Sequence, residues 1–99
     1  MEIYNATFQA AAGKEKELEV ILRELIKETA KEEGSVEYRL HRIVDAPGKY
    51  RFCEKFKDQA AFDFHCKSDH FLSAIAKMGP LLEGEGTLEK LELVDSIPE

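Results

Sequence analysis

The segment FDFHCKSDHF, residues 62–71, brings together two histidines, a cysteine, a lysine and two aspartates within ten positions. His65 and His70 titrate near neutrality and suit acid–base catalysis, while Cys66 is a potential nucleophile or metal ligand. Three phenylalanines lie among them, which fits equally well a helix that packs its aromatic side against a sheet. The rest of the sequence is needed to distinguish a catalytic or metal-binding site from a helix that only packs against the sheet.

Spacing within this segment argues against a metal site and against a cysteine nucleophile. Cys66 lies about 100° around a helix from His65, so the two side chains do not face each other. His65, Cys66 and His70 point in directions too mixed for three ligands, and no second cluster of cysteine and histidine follows. We therefore expect no metal. Since the sequence has no GxGxxG, P-loop or flavin-type motif, we also expect no bound nucleotide cofactor.

Composition limits the class of protein. The 99 residues suffice for one domain, predicted over residues 1–99. A net charge of -6 argues against nucleic acid as a partner, because phosphate binding needs clustered lysine and arginine. No apolar run approaches the ~20 residues that cross a membrane, and MEIYNATFQ lacks the features of a signal peptide. Two cysteines without a secretion signal should stay reduced, so we expect a cytoplasmic protein.

Hydrophobic periodicity predicts the order β-α-β-β-α-β, an α+β ferredoxin-like fold with its second helix in two pieces. Asp58 is a suitable N-cap for the first piece, and Ser68 or Asp69 for the second. The predicted elements are a strand at 2–9, a five-turn helix from Lys14 towards a stop at Gly34, strands at 36–44 and 49–57, two short helices ending before Gly79-Pro80, and a strand at 87–94.

Such a four-stranded antiparallel sheet has helices on one face and nothing in the chain to cover the other. A face of mixed polarity can pair with a second copy of itself, so we expect a homodimer through the sheet. A monomer with a solvated sheet is the alternative. The residues predicted on that outer face include Ile3, Thr7, Ile43, Cys53, Leu88 and Val94.

Several motifs, in order, resemble one known family. They are Gly13-Lys14 at a helix start, an E-x-G turn with Gly34 and Tyr38, then Glu54, Phe56 and Asp58, then Ala61, Phe62 and His65, and finally Ser68, His70 and Phe71. Together they resemble the antibiotic biosynthesis monooxygenase family, small dimeric α+β-barrel proteins that include quinol monooxygenases.

The resemblance implies sheets packed back to back in a dimer, with a pocket between sheet and helices in each subunit. It also implies oxygenation of quinols or polyketide aromatics by dioxygen as co-substrate, with no bound cofactor. One branch of the family degrades haem with a pocket tryptophan and histidine. This chain has no tryptophan, and it carries His65 and Ile75 at the positions resembling those two residues, so we expect no haem.

His65 and Glu54 are the predicted catalytic residues. His65 lies one turn after Ala61 and Phe62, on the helix side that should face the sheet, where it could act as a general base. It could equally be a buried neutral histidine bonded to a backbone carbonyl or to Glu54. Glu54 falls on the inward strand face among aromatic residues, so it must be paired, protonated or close to water. It could polarise His65 or anchor the helix start at Asp58.

Aromatic side chains on the inner face are the predicted walls for a flat phenolic substrate, although aromatics at strand spacing also make an ordinary core. His70 is either a substrate contact or a capping residue that joins the two helical pieces. The residues predicted to bind substrate are Tyr4, Tyr38, Tyr50, Phe52, Phe62, His70 and Phe71.

Three functions remain open from the sequence. The first is a cofactor-independent monooxygenase in which His65, supported by Glu54, removes a phenolic proton. The second is an isomerase or tautomerase of a small carbonyl compound in the same pocket; Arg39 and Arg51 fall on the outer face, which weakens it for a phosphorylated substrate. The third is a dimeric module that holds a small molecule without turnover.

Overall fold

The computed structural model of the chain describes residues 1–98. Its elements are β1 (Glu2–Gln9), α1 (Glu15–Thr29), β2 (Ser35–Arg42), β3 (Lys49–Phe56), α2 (Gln59–Lys67), α3 (Asp69–Met78), a 3₁₀ turn (Gly79–Leu81) and β4 (Thr87–Leu91). The strands form one antiparallel sheet in the order β2-β3-β1-β4. This confirms the predicted ferredoxin-like fold. The single domain predicted over residues 1–99 stays a prediction, and position 99 lies outside the described residues. No helix within the described part is long and apolar enough to cross a membrane.

Strand β3 carries the alternation that organises the core. Tyr50, Phe52, Glu54 and Phe56 are all buried on the helix-facing side, as predicted, while the residues between them are half-buried. The β2–β3 hairpin turns through Gly48, whose φ of 80° favours glycine. Against the inner face pack the apolar residues of α1 at helical spacing, Leu18, Leu22 and Leu25.

Two residues lie on a different side of the sheet from the one that the sequence predicts, because strand pairing decides their orientation. The period-two alternation of residues 36–44 predicts Val36 on the same face as Tyr38 and Leu40, but Val36 is 54% exposed, since the register shifts between Ser35 and Glu37 and places it in a bulge. Leu88 was predicted on the outer face. It pairs with Ala6 across β1 and therefore shares the helix-facing side with that residue. The predicted outer-face residues Ile43 and Val94 lie beyond the ends of β2 and β4.

Helix α1 ends earlier than predicted, at Thr29 instead of near Gly34. The backbone then makes a tight turn in which the Glu32 amide donates to the Thr29 carbonyl at 3.0 Å. Glu32 is buried in this turn although its neighbours Lys31 and Glu33 are exposed. The turn therefore directs one acidic side chain into the molecule.

Side-chain caps divide the second helical region where the sequence predicted. The Asp58 carboxylate accepts from the Ala61 amide at 2.8 Å at the start of α2. Ser68 adopts an extended backbone conformation, donates its hydroxyl to the His65 carbonyl at 2.7 Å, and accepts from the Phe71 amide. This break redirects the chain between α2 and α3.

Gly34 lets α2 approach the end of the α1 turn. A Cβ at this position would lie 2.3 Å from the Ala61 Cβ, so we predict that Gly34→Ala lowers the free energy of unfolding by about 1–3 kcal/mol. Gly79→Ala, where a Cβ meets nothing within 4 Å, is the matched control and should stay within about 0.5 kcal/mol. Urea denaturation of both variants measures this. Equal stability of the two would contradict the close approach.

Candidate functional site

A cavity of about 480 Å³ lies between the sheet and the helices α2 and α3. Its walls are largely apolar, and Glu54 and His65 are among the few titratable groups on them. The lining residues are Ala6, Phe8, Glu54, Phe62, His65, Cys66, Phe71, Ile75, Met78, Gly79, Leu82 and Gly84 to Leu88. Volume and lining suit a small, flat, mostly apolar molecule.

Glu54 is the unusual group on this wall. Glu54 is only 4% exposed, and its carboxyl group forms no hydrogen bond or ion pair with another side chain in residues 1–98. Burial, and secondarily the negative charge of Glu32, raises the pKa of the Glu54 carboxyl from 4.5 to about 8. Glu54 is therefore mainly neutral at pH 7 and gains its charge just above neutrality.

His65 is 1% exposed and its two ring nitrogens already have neighbours. Nδ1 lies 2.8 Å from Glu32 Oε2, and Nε2 lies 3.4 Å from the Tyr38 hydroxyl. Burial lowers the pKa of the imidazole, although hydrogen bonding to Glu32 opposes that shift. A neutral ring that donates from Nδ1 to the carboxylate would accept from Tyr38 at Nε2. The sequence offered a backbone carbonyl or Glu54 as the partner of His65; the structure supplies Glu32.

Glu32 joins both histidines of the segment. Its Oε2 lies 2.5 Å from His70 Nε2 as well as 2.8 Å from His65 Nδ1, and its side chain is 3% exposed. Sequence reasoning missed Glu32 because the E-x-G motif was interpreted only as a helix stop. His70 does not cap α3, since Ser68 does, and it lies outside the cavity wall.

The predicted aromatic walls divide into two groups. Phe62 and Phe71, two of the residues predicted to bind substrate, line the cavity. The others lie elsewhere in the core: Tyr4 stacks on Phe62 at 3.9 Å, Tyr38 stacks on Phe52 at 4.8 Å, and the Tyr50 hydroxyl donates to Glu19 Oε1 at 3.0 Å. The aromatic side chains on the inner face of the sheet therefore form less of the cavity wall than the sequence predicted.

The cavity wall also includes residues that the sequence reasoning did not select. Cys66 contributes its thiol, whose pKa burial raises to about 11, so it is protonated at neutral pH and a poor nucleophile. Ile75, Met78 and Leu82 extend the apolar surface. The helical spacing of Phe71, Ile75 and Met78 was the available signal for a shared face.

The chain is similar to proteins of one known family. A sequence model of the family described as "Antibiotic biosynthesis monooxygenase" matches residues 1–77. The chain belongs to this family. The resemblance drawn from its motifs is thereby confirmed, and membership of the family supports a monooxygenase-like role.

The matches to individual relatives extend over almost the whole chain. The Bacillus subtilis protein named "Putative monooxygenase YcnE" is 29% identical over 93 residues, covering 94% of this chain and 98% of its own. The structure of Rv0793 from Mycobacterium tuberculosis superposes with a TM-score of 0.90 at 26% identity, covering 98% of each chain. Protein SO0527 from Shewanella oneidensis is 34% identical, with a TM-score of 0.85 and coverage of 91% of this chain and 87% of its own.

The raised pKa of Glu54 predicts that stability falls as pH rises. The folded state binds a proton that the unfolded chain has already released, so this contribution is complete near pH 4.5 and lost through about pH 8. The lowered pKa of His65 acts in the opposite direction, but only below its ordinary value of 6.5. Between pH 7 and 8 we expect wild type to lose about 1 kcal/mol.

Urea denaturation at both pH values checks this, with Glu54→Gln and the exposed strand variant Glu89→Gln in parallel. The first variant should show no such loss and the second should behave like wild type. A pH dependence unchanged by Glu54→Gln would contradict the assignment.

Proposed function

We propose that this protein is a cofactor-independent monooxygenase that oxidises a small electron-rich aromatic, of the quinol or polyketide-phenol class, with dioxygen. The observation that carries the proposal is an unpaired, buried carboxyl with a raised pKa on the wall of an apolar cavity. We assign the base to Glu54 in place of His65, because both nitrogens of His65 already face Tyr38 and Glu32.

The pKa of Glu54 suits removal of a phenolic proton. A phenol has a pKa of about 10, so transfer to an ordinary carboxylate is uphill by ~7.5 kcal/mol, whereas transfer to a group at about 8 is uphill by only ~2.7 kcal/mol. The apolar wall would keep water from competing for the proton. His65, held between Tyr38 and Glu32, packs beside the site through its contact with Phe71.

Proton removal makes the substrate electron-rich enough to reduce dioxygen directly. One electron passes from the phenolate to dioxygen, the radical pair combines at a ring carbon, and the O–O bond of the resulting peroxide breaks. For a hydroquinone, one oxygen atom ends in the hydroxyquinone and the other in water. The ring loses four electrons in total, which is what this reduction of dioxygen consumes, so no external reductant is required.

The other two functions receive less support. An isomerase acting on a phosphorylated compound needs cationic side chains at its pocket, and the residues of the described chain that line this cavity include Glu54 and Glu85 but no lysine or arginine. Arg51 lies on the opposite side of the sheet, where it donates to Thr7. A module that binds without turnover would not need a carboxyl held at this pKa.

We also propose that two copies pair through the outer sheet face. Ile3, Cys53 and Leu91 give that face apolar area, and Leu91 is 42% exposed. Analytical ultracentrifugation should give twice the chain mass of 11.3 kDa. A Cys53→Lys variant should shift the population towards the single-chain mass, because it places a charge in the interface. Wild type sedimenting at 11.3 kDa would contradict the pairing.

Dioxygen uptake with a panel of naphthohydroquinones and anthrones tests the proposed reaction. The assay contains a metal chelator, is corrected for autoxidation, and includes product analysis for incorporated oxygen. We expect the wild-type rate to rise with pH through about 8 and Glu54→Gln to lower it by at least ~10²-fold, the low end for an acid–base group.

Glu85→Gln is the matched control, because Glu85 also lines the cavity but is exposed. It should leave the rate within a few-fold of wild type. A His65→Asn variant separates the two candidate bases: loss in this variant with full activity in Glu54→Gln would return the base to His65. No uptake with any compound would overturn the oxygenase proposal.

A further inference from the structure

We propose that Glu32, His65 and His70 form a binding site for a divalent transition-metal ion of the Zn²⁺ type, separate from the oxygen chemistry proposed for the cavity. One ligand atom from each of these residues lies within 4.8 Å of the others. Two imidazoles and one carboxylate are a donor set that Zn²⁺ uses in proteins, with a further position left for water.

Only a small adjustment would bring the three ligand atoms to metal-binding distances. Tetrahedral ligands at the usual zinc bond lengths lie ~3.3 Å apart, whereas Glu32 Oε2 lies 2.8 Å from His65 Nδ1 and 2.5 Å from His70 Nε2. The expansion required of these two pairs is below ~1 Å, and the two histidine nitrogens lie within 4.8 Å of each other. His70 can supply it, because its side chain is 24% exposed while that of His65 is 1% exposed.

An unsatisfied atom points to the same site. Glu32 Oε1 is buried and has no hydrogen-bond partner, although Oε2 of the same carboxylate faces two histidines. A buried carboxylate oxygen without a donor is costly. A cation bound at the carboxylate would compensate both oxygens, either directly or through bound water.

The surroundings of His65 would support coordination through Nδ1. A metal at Nδ1 requires the ring proton to move to Nε2, which lies 3.4 Å from the Tyr38 hydroxyl oxygen and could donate to it. An outer hydrogen bond of this kind commonly orients a metal-binding histidine. Metal binding therefore predicts a change of tautomer in His65.

A cation can reach the site from solvent without crossing the cavity. A surface cleft of about 530 Å³ opens onto Glu32 and His70 and carries more negative than positive side chains. Its other lining residues are Glu28, Lys31, Glu33, Phe64 and Asp69. This side favours the approach of cations, and a bound ion would clamp the turn after α1 to both α2 and α3.

Isothermal titration calorimetry of Zn²⁺ binding to chelator-treated protein tests the site. We expect one saturable equivalent per chain, an increase in Tm, and no comparable binding of Mg²⁺, which prefers oxygen ligands. Co²⁺ in place of Zn²⁺ should give visible absorption of the intensity typical of tetrahedral sites. Nitrogen-15 spectra of the histidines should show the proton of His65 moving to Nε2.

Variants assign the ligands. Glu32→Gln and His70→Asn should each weaken Zn²⁺ binding by at least ~10²-fold, since each removes a direct ligand. His41→Asn and Glu33→Gln are the matched controls and should bind as wild type, because His41 is the remaining histidine and Glu33 is the exposed neighbour of Glu32. His70→Asn is expected to fold because its side chain is partly exposed.

Absence of saturable binding, or binding unaffected by both ligand variants, would overturn the metal site and leave a hydrogen-bonded cluster. The outcome is independent of the oxygenase proposal, which is tested with chelator present. Loss of dioxygen uptake in Glu54→Gln with intact Zn²⁺ binding would show the two sites to be separate.

Discussion

Two carboxyl groups, Glu32 and Glu54, are buried in this small protein, and the available hydrogen-bond donors go to only one of them. Glu32 faces His65 and His70, whereas no side chain of the described residues donates to Glu54. The negative charge of Glu32 also disfavours charge on Glu54. Burial is the main cause that raises the pKa of Glu54 to about 8, and no donor side chain opposes it, which makes this carboxyl useful for moving a proton.

Three local features of the backbone place hydrogen-bond donors beside Glu32 and not beside Glu54. The turn after α1 directs Glu32 inward, the Ser68 cap separates α2 from α3, and alternation along β3 places Glu54 on the inner face. Because His65 and His70 lie on successive helices on either side of the Ser68 break, both can reach one carboxylate. Glu54 reaches the cavity from the sheet, so the two carboxyl groups approach the same region from opposite layers.

Much of the fold could be predicted from the sequence because its signals are local. Strand alternation around Glu54 and the caps at Asp58 and Ser68 depend on neighbouring residues alone. The inward position of Leu88 could not be obtained in this way, because it depends on the register of β4 against β1, more than eighty positions away. The bulge that exposes Val36 likewise depends on pairing with β3.

The candidate site was predicted in part for the same reason. His65, Glu54, Phe62 and Phe71 do line one cavity, and each follows from the periodicity of its own element. Glu32 was missed because 33 positions separate it from His65 and only the tertiary fold brings them together. Spacing inside residues 62–71 gave no metal site, because the third ligand of the proposed site, Glu32, comes from outside the segment.

The central claim is that Glu54 holds its proton at neutral pH, and direct titration of that carboxyl tests it most closely. Carbon-13 NMR of protein labelled at the glutamate side-chain carboxyl, with the Glu54 signal assigned by its absence in Glu54→Gln, follows ionisation of this one group. The account predicts a midpoint near pH 8. A midpoint near the ordinary value of 4.5 would contradict it and would remove the basis for Glu54 as the catalytic base.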